Sequence, residues 1–298
     1  MLTTASARPA PLPWLAAAIA LIVSLVPFLI SLIVLHRLSA LSESARVMAY
    51  ASAAGSAVFR VGLAFLVAQW HGERHEQLAF RRPALVLSLF GVFLLCWQGV
   101  QIGAAMALVR LTLSGASMQT MMIVSSLVYP LLHALGTWLA WMIAARIMRK
   151  DALPWPSFNA RWRAAGLTAW SLASVLAMLA PMMMAALASS GIDSYTLAAA
   201  GYAGAVMIPV ALAFAGAWLG LPRYMAGIHG WRWLIAAIGA LISNALLAYV
   251  CFGFFVEVVL DTVAMTVLIG VFCALLCLGT YWVWTFALYT GLRRAAAR

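Results

Sequence analysis

The stretch "FRVGLAFLVAQW", residues 59–70, decides the class of fold. It closes an apolar run that begins near residue 47, and Arg60, a permanent positive charge, stands well inside that run. Of the whole chain 66% is hydrophobic and 8% charged. Ordinary water-soluble domains are apolar at roughly half of their residues, because polar groups must cover the outside. A bilayer removes that need. A membrane-crossing helix takes roughly 20 consecutive apolar residues, and this chain supplies such runs from end to end. The expected fold class is an all-α polytopic membrane protein.

Working outward from residues 59–70, the pattern predicts eight transmembrane helices over 13–35, 47–70, 83–109, 118–146, 163–189, 195–221, 233–260 and 264–290. The breaks hold charge, Pro, Gly and Ser, as in "HGERHEQLAFRRP" and "RKDALPWPSFNARWR". The weakest break is "LDTVA", and without it the count falls to seven. The first apolar run, Trp14 to Leu35, is too long for the core of a signal peptide and reads as a retained span. No connection is long enough to fold as a separate soluble domain.

Lys and Arg total 18 against 7 Asp and Glu, and Lys150 is the only lysine. In a soluble chain such an excess would suggest nucleic acid. Here it reads as topology, because cytoplasmic loops collect basic residues. With eight spans, fourteen basic residues fall on the side of the termini. Only Arg37, Arg46 and Arg110 fall on the other side. Both termini are therefore expected in the cytoplasm, and the basic C-terminal end supports retaining the eighth span. Twelve of the 13 Trp gather toward that same side, as interfacial indoles do, and Trp97 lies nearer mid-depth. The Arg-over-Lys bias and the abundance of Ala suit a GC-rich bacterial genome, hence a bacterial inner membrane.

The chain also echoes itself. "LGTWLAW" at 135–141 returns as "LGTYWVW" at 278–284, and "VGLAF" at 61–65 as "VALAF" at 210–214. Pro27 has a counterpart in Pro181. Three matches in the same order imply two four-helix halves, 1–150 and 151–298. An even number of spans in each half makes them parallel repeats of one orientation.

Arg60 is the leading candidate for chemistry. A charge at mid-bilayer costs a few kcal/mol even on lenient insertion scales, and such residues face the bundle interior. The small residues "AYASAAGSA", 49–57, suggest that this helix is central. Gln98, Gln101, His133 and Asn244 fall at similar expected depth, and Gln98 and Gln101 share a helix face. Pro27, Pro130, Pro181 and Pro209 each remove a backbone hydrogen bond inside a span. The freed carbonyls need partners or a wet lining. Together these groups suit a pathway for a small or anionic solute; inter-helix bonding is the plainer alternative. Glu257 and Asp261, four apart, are expected to pair with basic residues at the outer face. No acid falls at mid-depth, which argues against a carboxylate proton relay.

Haem A synthase-like proteins also have eight spans in two four-helix halves. They hold haem with pairs of intramembrane histidines. Only His133 lies within a span here, so that assignment is rejected. Met178, Met182, Cys273 and Cys277 offer soft donors at helical spacing, but Met and free Cys ordinarily serve as packing. No metal and no other cofactor is expected. No CxxC, GxSxG, HExxH or P-loop occurs. An enzyme is therefore the least expected class, with lipid modification its remaining form. The other alternative is a non-transporting subunit or assembly factor of a membrane complex. Expected partners are membrane lipids, a small anionic solute and other membrane proteins, with no nucleic acid.

Overall fold

In hydrocarbon every backbone N–H and C=O must be satisfied within its own segment, and α-helices do this. The computed structural model describes residues 12–37, 43–75, 79–113, 118–153, 159–189, 195–225, 227–257 and 262–296. Among them the helices are α1 (Leu12–Arg37), α2 (Glu43–His75), α3 (Pro83–Leu113), α4 (Met118–Ile147), α5 (Arg161–Ser189), α6 (Tyr195–Gly220), α7 (Gly230–Glu257) and α8 (Thr262–Ala296). Within the described residues each expected span falls on one of them, apart from Leu221 at the end of the sixth. Within the described residues, α2, α3, α4, α5, α7 and α8 carry apolar stretches long enough to cross a membrane, so the chain is a multi-pass membrane protein by length and composition. In α1 and α6 the described apolar stretches, Leu12–Pro27 and Val206–Gly220, are shorter.

Several ends differ from the sequence reading. α2 runs on to His75, so His71 and Arg74 are helical and not part of a loop. Its last turn carries Arg74 and His75, which complement the negative helix end. α8 likewise continues through Arg293 and Arg294, and α7 begins at Gly230, before Trp231 and Arg232. Hydropathy marks where apolar character stops, whereas backbone hydrogen bonding continues into the polar zone.

The chain divides into two compact units, Met1–Leu38 with Ser56–Pro156, and Ser39–Gly55 with Ser157–Arg298. In the first, α3 packs on α4 and α1 on α3. Trp14 meets Phe65 edge-on at 4.6 Å, and Phe90 meets Trp141 at 5.3 Å. Ala16, Ala20 and Ala64 are buried between the helices, where small side chains allow close approach. Two loops distant in sequence are joined by a ladder that hydropathy does not foresee. Strand β1 (Ala79–Phe80) pairs antiparallel with β2 (Ala152–Leu153), and the Arg81 amide donates to the Asp151 carbonyl at 2.8 Å.

In the second unit α6 packs on α8, α5 on α6 and α7 on α8 around Leu172, Ala213, Ala240, Cys277 and Tyr281. α6 approaches α8 so closely that a Cβ at Gly216 or Gly220 would overlap the backbone of α8 at Leu278 or Trp282. Only Gly fits there. Of the small residues at 51–57, Gly55 alone is buried, against the Ala177 carbonyl, while Ser52 and Ala54 are exposed. Pro181 has no N–H to offer Ala177 four residues back, and α2 covers that carbonyl instead.

The segment before α5 is clasped to the α6–α7 connection. Asn159 Oδ1 accepts from the amides of Arg161 and Met225, and its Nδ2 donates to the Arg223 carbonyl. Arg161 lies 4.2 Å over the Trp218 ring and donates from Nε and Nη2 to the Trp218 carbonyl.

Candidate functional site

Arg60 lies fifteen residues before the end of α2, about 22 Å along the helix axis at 1.5 Å per residue. That is beyond the reach of its stem, so its charge must be met locally. Nε donates to His133 Nδ1 at 3.1 Å, and Nη2 donates to Gln101 Oε1 at 2.6 Å. Gln101 Nε2 reaches the same Nδ1 at 2.7 Å. α2, α3 and α4 thus each contribute one side chain to a closed triangle. Gln101 and His133 are buried, and the Phe59 ring lies 6.3 Å from the imidazole.

The donors assign the tautomer. An arginine N–H can only donate, so Nδ1 accepts and the imidazole proton sits on Nε2. The triangle therefore carries one positive charge, on the guanidinium. Two charge-assisted bonds contribute about 1.5–3 kcal/mol each. This is comparable with the ~2.5–3.5 kcal/mol insertion cost of a central arginine, so neutral partners suffice to hold Arg60 in place. A guanidinium has five N–H groups. Among the described residues two are used, which leaves three for another acceptor. Both hydrogen-bond partners of Arg60 among the described residues are uncharged.

Two other expected members hold other partners. Gln98 lies one turn from Gln101 on α3, yet its Nε2 donates to the Val23 carbonyl on α1 at 3.0 Å. The reason is Pro27. Val23 is four residues before it, and a proline cannot return the helical hydrogen bond. Gln98 thus repairs a helix rather than joining the Arg60 triangle. Asn244 belongs to the second unit, where its Nδ2 donates to Cys277 Sγ at 3.1 Å. Asp261 and the side chain of Glu257 lie outside the described residues, so their expected pairing does too.

Some polar contacts had no sequence signal. Trp97 Nε1 donates to the Leu132 carbonyl at 2.9 Å, and its ring fills the space that a side chain at Gly136 would take. Trp284 does the same on α7, donating to Ser243 Oγ at 3.0 Å with its ring over Gly239. A tryptophan and a distant glycine reveal nothing to each other until the helices are packed. Of the soft donors, Cys273 is exposed while Cys277 is buried. No group of three or more His, Cys, Asp or Glu converges among the described residues.

No family model, curated protein or solved structure matches this chain.

Proposed function

We propose that this chain binds and moves a small anion across the membrane, with Arg60 as the counter-charge within the bilayer. The observation that supports the reading is a mid-helix guanidinium bonded to an amide and an imidazole, both neutral, with three N–H groups left among the described residues. A carboxylate partner would quench the charge; neutral partners hold the side chain and preserve its field. Gln101 and His133 orient Arg60, and the remaining donors are available to a transient anion.

The reading is tested in proteoliposomes with chloride, nitrate, acetate and phosphate as probes. Wild type is expected to carry at least one of them above empty vesicles. Arg60→Gln is expected to abolish that flux, and Arg60→Lys to retain part of it. If wild type matches empty vesicles for all four, or both variants match wild type, the proposal fails. Absence of flux with a stoichiometric partner retained in mild detergent would assign the chain to a larger complex instead.

The same reading includes duplicated, parallel halves in a bacterial inner membrane with both termini cytoplasmic. Matched packing within each unit supports the duplication. Trp14 meets Phe65 edge-on at 4.6 Å in one unit, and Trp162 meets Phe214 edge-on at 5.5 Å in the other. Ala64 and Ala68 are buried in one, Ala213 and Ala217 in the other. Phe65 and Phe214 are the closing residues of "VGLAF" and "VALAF". Parallel four-helix halves require the 148–158 connection and the C-terminal end on one face of the membrane. Cysteine labelling of both sites from opposite sides would exclude that arrangement.

A further inference from the structure

We propose that the paired loops of the first unit hold one anionic phospholipid, its phosphate among Arg81, Arg82, Arg149 and Lys150 and an acyl chain along α4. The ladder between β1 and β2 is the reason these residues meet. Ala79 pairs with Leu153, Phe80 with Ala152, and the Arg81 amide donates to the Asp151 carbonyl. Arg81 and Arg82 directly follow one strand, and Arg149 and Lys150 precede the other, separated from it by Asp151 alone. All four are exposed. Among the described residues of the two loops the acid is Asp151, part-exposed, so positive charge remains in excess there.

Sorting a loop to the cytoplasm requires only that the loop carry basic residues. It does not require two loops to set theirs side by side. Gathering like charges is unfavourable unless an anion accompanies them, and phosphate oxygens accept charge-assisted bonds from several Arg and Lys at once. The apolar part of a lipid also has a track. On α4, Leu135, Trp138 and Met142 follow at three- and four-residue spacing, and Arg146 continues the row toward the ladder. Leu135, Trp138 and Arg146 are exposed and Met142 is part-exposed. A cationic rim above an apolar stripe matches a phospholipid, whereas a soluble phosphate would need only the rim.

Native mass spectrometry of the full chain in detergent tests this, titrating phosphatidylglycerol against phosphatidylcholine of the same chains. Phosphatidylglycerol is expected to bind more tightly. Arg149→Gln/Lys150→Gln is expected to weaken it roughly tenfold or more, since each basic residue near an anionic surface contributes several-fold. The equal charge change Arg223→Gln/Arg232→Gln, in the second unit, should leave it within twofold. Arg81→Gln and Arg81→Pro lose the same charge, but only proline removes the amide bond to Asp151. Proline is therefore expected to weaken binding further. The proposal is overturned if phosphatidylcholine binds equally, or if the two double variants behave alike. Displacement of phosphatidylglycerol by equimolar glycerol 3-phosphate would also overturn it, in favour of a soluble phosphate. The Gln variants keep every backbone bond, so the lipid comparison does not depend on the proline variant.

Discussion

Replacing Gln98 with leucine tests whether a side chain on α3 repairs α1. Pro27 leaves the Val23 carbonyl without its helical donor, and Gln98 Nε2 supplies one at 3.0 Å. Leucine keeps the apolar bulk and removes that donor. An unsatisfied buried acceptor costs about 1–3 kcal/mol. Inter-helix hydrogen bonds in membrane proteins average about 0.6 kcal/mol and reach ~1.7. Between these limits, Gln98→Leu should destabilise the protein by about 1–2 kcal/mol. Pro27→Ala restores an N–H that can return to Val23 within the helix. In that background the same Gln98→Leu change should cost less than about 0.5 kcal/mol, a coupling near 1 kcal/mol between contacting sites. The four proteins of this cycle are compared by reversible unfolding in mixed micelles on an SDS titration. If Gln98→Leu costs the same with proline or alanine at position 27, the repair argument is wrong.

Gly136→Ala should destabilise by about 1–3 kcal/mol, because its methyl would overlap the Trp97 ring. Thermal unfolding should show most of that loss recovered when Trp97→Leu is added. Arg161→Lys should cost about 1 kcal/mol, since an ammonium cannot both stack on the Trp218 ring and present two planar N–H groups to its carbonyl. A null effect in a denaturant titration would contradict this. His229 precedes α7 with φ of 53°, and partial burial with the Arg232 charge holds its imidazole below the ordinary value of 6.5. Its folded form therefore resists protonation. The stability it contributes is complete above about pH 6.5 and declines as pH falls through the lower folded value. His229→Asn tolerates the same backbone and does not titrate. Melting temperatures from pH 7.5 to 5 should fall less for that variant than for wild type.

The helices were legible because their cause is local. Long apolar runs interrupted by "RKDALPWPSFNARWR" and "SSGIDS" specify helices whatever packs around them. Arg60 was legible as a problem, since a cation in such a run must find a partner. Its partners were only partly legible. Gln101 and His133 do meet it, but Gln98 does not, although it shares a face with Gln101. Side-chain direction on one helix limits the choice, and the neighbouring helix makes it. Here a proline on α1 created the acceptor that drew Gln98 away.

The sequence by itself determined that this is a multi-pass helical membrane protein with a positive charge buried in one helix. Composition and run length carry that information without reference to contacts. Only the tertiary structure decided that Arg60 rests on two neutral groups from α3 and α4, and that loops far apart in sequence pair through Ala79 and Leu153. Hydrophobicity is a property of each residue and sums along the chain. A hydrogen bond between helices is a property of two positions at once, and it is set only when packing fixes both.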